Sequence, residues 1–156
     1  MRPEERLGEL LLKKGLTISV AESCTGGLLA ARITDVPGAS SYFRGGFVAY
    51  QNLAKRRLVR VRRRTLERGG VSEEVTQALA IGCRRRLGTD LALGVTGMAG
   101  PGGGTQEIPV GTIFVAVDSS RGTRCKQFLF AGDRAANREQ AVQAALRIAI
   151  EAIEAS

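Results

Sequence analysis

Histidine and tryptophan are both absent from the 156 residues of this chain. Without imidazole there is no Ser-His-Asp or Cys-His catalysis, and most transition-metal sites lose their commonest ligand. Any acid–base work falls to Lys, Tyr, Asp, Glu or Cys. Cysteine is scarce: Cys24, Cys83 and Cys125 are odd in number and far apart. They form neither a C-x-x-C pair nor a disulfide framework. No metal site and no cofactor is therefore expected. Apolar runs fall short of the roughly 18–20 residues that cross a bilayer. The opening Met1-Arg2-Pro3-Glu4-Glu5-Arg6 is charged where a leader peptide would be apolar. A reduced, cytoplasmic protein with no membrane partner is expected.

Positive charge is what the chain has in excess, a formal +8 with runs at Arg62-Arg63-Arg64 and Arg84-Arg85-Arg86. Such a balance favours anionic partners. Nucleic acid is not the expected one, because two tyrosines and five phenylalanines are the only aromatics and none lies inside an arginine run. The runs read first as a solvated basic surface.

The length fits one compact domain, taken as 1–156, that can bury its own core. Leu7, Leu10 and Leu11 repeat at helical spacing before Gly15, which predicts an opening helix with a glycine stop. Leu16 to Ala21 alternates like a strand, and Leu28 to Ile33 reads as a helix ended by Asp35-Val36-Pro37-Gly38. Gly45-Gly46 introduces a strand from Phe47 to Tyr50, and Asn52 is a candidate cap for a helix carrying Lys55. Ser72 caps a helix to about Leu87, and Asp90 to Val95 reads as a buried strand. Val110–Val117 and Thr123–Phe130 form a hairpin, and Arg134 to Ala155 is the closing helix. Helices alternate with strands early and a hairpin comes late, so the fold class is α/β, a mixed sheet with helices packed on it.

Three segments place polar or glycine residues at strand ends, where sites gather in open α/β sheets. In Glu22-Ser23-Cys24-Thr25-Gly26-Gly27, Ser23 lies before a helix whose free N–H groups could hold an oxyanion, and the glycines leave room for a substrate. Ser23 or Thr25 could equally be a simple helix cap. In Ala49 to Lys55, a lysine can serve as base for a serine if desolvation or a nearby cation lowers its pKa. Tyr50 could relay the proton, and Arg44 is a candidate for the nearby guanidinium. Against this, a lone lysine is usually solvated. The glycine loop from Gly97 to Gly104 can present N–H groups to a phosphate, though it fits neither the Walker A nor the dinucleotide pattern.

Taken together, these segments resemble the C-terminal domain of the CinA proteins, whose stand-alone members are nicotinamide-nucleotide amidohydrolases. The matching stretches are Ala21–Gly27, Tyr42–Gly46 with Ala49–Lys55, Gly70–Val75, Val95–Gly103 and Pro109–Thr112, in family order over nearly the whole chain. The resemblance implies hydrolysis of the carboxamide of nicotinamide mononucleotide to nicotinate mononucleotide and ammonia. It implies Ser23 as nucleophile with Lys55 and Tyr50 handling the proton, rather than the competing thiol of Cys24. It implies that the glycine loop, including Thr96, Gly97 and Gly100, helps bind the nucleotide, and it implies a homo-oligomer; Thr25, Gly26, Gly27, Arg44 and Gly102 are further candidates for substrate binding. Longer members carry an N-terminal pyrophosphatase-like domain, for which 156 residues are not expected to have room. Two other readings differ in class. A catalytically silent nucleotide-binding module would bind the mononucleotide and release no ammonia. A nucleic-acid binder would show steep salt dependence.

Overall fold

Side-chain size on the two faces of the central strands decides how this chain folds. In the computed structural model, which describes residues 1–156, the strands are β1 (Ile18–Glu22), β2 (Phe43–Val48), β3 (Leu91–Gly97), β4 (Thr112–Ser119) and β5 (Gly122–Leu129). They form one sheet in the order β2-β1-β3-β4-β5. The helices are α1 (Pro3–Lys14), α2 (Leu28–Thr34), α3 (Asn52–Val59), α4 (Arg63–Leu66), α5 (Glu73–Leu87) and α6 (Arg134–Glu154), with a 3-10 turn at Ala39–Ser41. β1 pairs in parallel with β2 and β3, whereas β3/β4 and β4/β5 are antiparallel. The mixed α/β sheet expected from the sequence is the one found.

Alternation sorts the core into two layers. Ile18 and Val20 of β1, with Leu91, Leu93 and Val95 of β3, meet Leu7, Leu11, Leu29, Ile33 and Leu146 of α1, α2 and α6. Burying each large aliphatic side chain contributes about 1.5–3 kcal/mol relative to exposure. The other face is small. Ala21 and Ala92 share a cluster with Val75, Leu79 and Cys83 of α5, together with Val59 and Val61. At Gly94 a Cβ would strike the Thr76 carbonyl and the Ala80 amide, so α5 lies directly on β3. Arg32 of α2 binds Glu139 of α6 through two parallel bonds of 2.8 Å, which ties those helices together.

The caps follow local chemistry. Gly15 ends α1 at φ +65°, and the Ser72 hydroxyl accepts from the Val75 amide at 3.1 Å to open α5. Asp133 caps α6 in the same way, accepting from the Ala136 amide at 2.9 Å. Asn52, in contrast, is the first residue of α3 and caps nothing. Gly45 and Gly46 sit inside β2 rather than before it, because a side chain at Gly46 would run into the Val20 carbonyl of the adjacent strand. β4 starts at Thr112, not Val110, since Pro109–Gly111 turns back on Met98. From β1 the chain crosses through α2 to β2 on one side, then through α5 to β3 on the other. The carboxyl ends of β1 and β3 therefore open where the winding reverses, the place in such sheets where ligands fit.

Candidate active site

β1 ends at Glu22, and Ser23 continues its pairing by donating its N–H to the Val95 carbonyl at 2.9 Å. This anchors a serine that is only 6 % exposed. Its Oγ donates to the main-chain carbonyl of Tyr50 at 3.3 Å. Lys55, in the first turn of α3, donates from Nζ to the same oxygen at 2.8 Å. The two side chains thus converge on one carbonyl at the bend between β2 and α3. Lys55 is 3 % exposed and has no carboxylate within ion-pair distance. Burial pushes its ammonium below the ordinary lysine range. No guanidinium enters into that shift.

Cys24 differs from its neighbour. Burial raises its thiol to about 12, so at neutral pH almost no thiolate forms. The Ser23 hydroxyl, in contrast, shares the Tyr50 carbonyl with the buried Lys55 amine.

The start of α2 is not free. The Glu22 carboxylate turns back on it and accepts from the amides of Gly27 at 3.2 Å, Leu29 at 2.8 Å and Ala30 at 3.0 Å. These N–H groups, expected from the sequence to hold an oxyanion, are already occupied by the chain's own anion. The amides left without an oxygen acceptor in this turn are those of Cys24 and Thr25. Thr25 is fully buried and its Oγ1 has no hydrogen-bond partner. Gly26 at φ +58° and Gly27 at φ +104° carry the chain from the turn into α2.

Other expected residues divide. Thr96 is buried beside the site and donates to the Gly70 carbonyl at 3.1 Å. Gly70 in turn packs against Asn52 and the Lys55 amine. Gly97 has a packing reason to be glycine, because a Cβ would strike Thr112 and Ile113 of β4. Gly100 lies at φ +89° and its carbonyl is held by Arg134 at 2.9 Å. Gly102 is exposed in the loop, and no atom stands within 4 Å of where its Cβ would be. Two placements correct the sequence reading. The Tyr50 hydroxyl touches neither Ser23 nor Lys55; it accepts from Arg134 at 3.2 Å, and only its backbone oxygen joins the pair. Arg44 lies near the start of β2, at the opposite end of the sheet, and donates to the carbonyls of Leu87 and Gly88 at 3.1 and 2.7 Å. Because β1 and β2 are parallel, a residue paired near Ile18 cannot reach a site beyond Glu22.

Three residues from α6 complete the site. Arg138 donates from Nε to the Cys24 carbonyl and from Nη2 to the Thr25 carbonyl, both at 3.0 Å, and so clamps the serine turn. Asn137, fully buried, bonds the carbonyls of Ala99 and Gly132 at 3.0 Å and accepts from the Gly132 amide. Arg134 joins Tyr50 to the glycine loop. Arg134 and Arg138 stand one helical turn apart, which was the available signal for a shared face. A groove of about 550 Å³ adjoins the site at Gly70, with Arg68, Met98 and Thr105 in its lining.

Fold and site together define an α/β domain with a serine and a desolvated lysine bound to one carbonyl at the carboxyl ends of its parallel strands. The chain belongs to the CinA C-terminal domain family, whose model matches residues 2–153. Among relatives, a CinA-like protein of Chloroherpeton thalassium is 48% identical over 158 residues, which is 98% of this chain and 38% of that protein. Another CinA-like protein, from Geotalea uraniireducens, is 53% identical over 129 residues, or 82% of this chain and 31% of its own length. The chain thus spans about a third of the length of these relatives. A crystal structure of a CinA superfamily protein from Klebsiella pneumoniae superposes with a TM-score of 0.94 at 31% identity, covering 100% of both chains. A competence/damage-inducible protein from Agrobacterium tumefaciens gives 0.91 at 35% identity, covering 97% of this chain and 95% of that one. No helix is long and apolar enough to cross a membrane.

Proposed function

We propose that this domain hydrolyses the carboxamide of nicotinamide mononucleotide, releasing ammonia and leaving nicotinate mononucleotide. The observation that carries the reading is the meeting of Ser23 with a buried Lys55, which has no carboxylate partner, on the Tyr50 carbonyl. As a neutral amine, Lys55 accepts the Ser23 proton while the Oγ attacks the carboxamide carbon. The amides of Cys24 and Thr25 are available to the oxyanion of the tetrahedral intermediate. Collapse returns the Lys55 proton to the leaving nitrogen, ammonia departs, and a nicotinoyl ester remains on Ser23. Water then gives its proton to Lys55 and attacks that ester, and the C–O bond to Ser23 breaks as the proton returns to Oγ. Arg134 and Arg138 supply positive potential for a phosphorylated substrate, and the groove at Gly70 offers room for its ribose and phosphate.

The test is ammonia release from nicotinamide mononucleotide by the wild type and by Ser23→Ala, with nicotinamide and NAD as comparison substrates. Release from the mononucleotide, lost in Ser23→Ala, is the expected result. A folded wild type that binds the mononucleotide and releases nothing would replace this reading with a silent binding module.

A further inference from the structure

The arginine runs take no part in the chemistry at Ser23, yet folding brings members of both to one place. Arg60 and Arg62, after α3, and Arg85 and Arg86, in the last turn of α5, line one groove of about 680 Å³. None of the four has an ion-pair partner, and no acidic residue lines the groove. Arg84, from the same run, is used up locally on the carbonyls of Thr89 and Asp90 and on the Asp118 carboxylate. The charge at the groove is thus concentrated and unanswered, which favours an anion there.

Two further features shape the place. Val59, Ala78 and Ile81 make part of its lining apolar, and a Cβ on Gly82 would strike the Val59 carbonyl, so α3 and α5 meet closely beneath it. Arg60 is the only non-glycine residue with positive φ, at +60°, where the chain leaves α3. Glycine adopts that conformation without strain and is the usual residue at such a position. An arginine there keeps a guanidinium at the groove despite the backbone strain.

Guanidinium groups bind phosphate oxygens through paired N–H donors, and four on one groove match a ligand with more than one phosphate. The apolar lining suits a base or sugar. No aromatic residue lines the groove, so stacked single-stranded nucleic acid has no platform. We propose that this groove is a second ligand site, separate from the Ser23 site, for a nucleoside di- or triphosphate.

Titration calorimetry on the full chain at low salt tests this with ATP, tripolyphosphate, adenosine and a twelve-residue oligo-dT as probes. ATP is expected to bind once per chain, undisplaced by nicotinamide mononucleotide, and tighter than tripolyphosphate, while adenosine alone gives no heat. Arg62→Ala/Arg85→Ala, both exposed positions, should weaken ATP at least 10-fold with an unchanged unfolding temperature. Arg124→Ala/Arg147→Ala, which removes the same charge elsewhere, should weaken it far less. Absence of ATP binding at millimolar concentration, equal weakening by the two double variants, or tighter binding of oligo-dT would each overturn the proposal. Tripolyphosphate binding as tightly as ATP would overturn its nucleoside part. None of these outcomes depends on ammonia release.

Discussion

Lys55→Arg keeps a positive charge on the only buried lysine or arginine of the chain and removes its ability to lose a proton. In the wild type, Nζ sits 2.8 Å from the Tyr50 carbonyl, burial lowers its pKa, and no carboxylate restores it. A guanidinium stays protonated up to about pH 12, so it can donate to that carbonyl but cannot accept from Ser23. Positioned proton transfer contributes typically 10²–10⁴-fold, so kcat should fall by about 100-fold or more. Space is limited, since a Cβ on Gly70 would lie 3.2 Å from Nζ. Lys55→Met therefore serves as a comparator that fits without charge. Steady-state ammonia release measured from about pH 6 to 10 should rise in the wild type along a limb below the ordinary lysine value of about 10.4. The limb should be missing from both variants. Lys55→Arg with the wild-type rate and the same limb would refute the assignment of Lys55 as base.

The same burial has a stability consequence. A lysine whose folded-state pKa lies below its unfolded value destabilises the native state by about 1.4 kcal/mol per pH unit of difference. The penalty is complete below the folded-state value and is relieved as pH rises toward about 10.4, because the unfolded chain binds the extra proton in that window. Lys55→Met should therefore be more stable than the wild type at neutral pH. Its advantage in denaturant titrations should shrink as pH is raised.

Ser23→Ala should abolish ammonia release with the unfolding temperature nearly unchanged, whereas Cys24→Ser should keep most of the rate, given a thiol pushed up to about 12. Arg138→Met removes two charge-assisted bonds to the Cys24 and Thr25 carbonyls, each worth roughly 1.5–3 kcal/mol at most. It should lower both the unfolding midpoint in urea and kcat, and a loss of stability with kcat intact would separate the clamp from the reaction. Dialysis against a chelator should leave the rate unchanged, because proton transfer is assigned to an amine and the chain has no histidine. A rate that vanished and returned with a divalent ion would contradict this.

Much of the backbone was legible because burial leaves a period in the sequence. Leu7, Leu10 and Leu11 marked α1, the alternation after Leu16 marked β1, and the paired late strands marked the hairpin. Boundaries drifted where turn chemistry decided them, as at Pro109–Gly111. The short α4 escaped because Arg63–Leu66 is too brief to show a period. At the site, Ser23 and Lys55 were legible as residue types at strand ends. Arg44 was not, since its nearness in the chain to Tyr50 concealed that a parallel strand carries it to the other end of the sheet. Arg138 lies 113 residues from Thr25 in sequence, and no local pattern announces that contact. The task of Glu22 has no local signal, because only the fold turns its carboxylate onto the amides of α2.

The atom that unites Ser23 and Lys55 belongs to the peptide bond after Tyr50, and every amino acid brings that atom with it. A saturation scan at position 50 would report on the phenol and its bond to Arg134, and would leave the shared acceptor in place in every variant. What can remove the acceptor is a change in chain path between Val48 and Asn52, such as an inserted residue or a backbone rotation. This part of the site is thus encoded in the length and shape of a bend, and its vulnerability is to insertions and deletions rather than to point substitution.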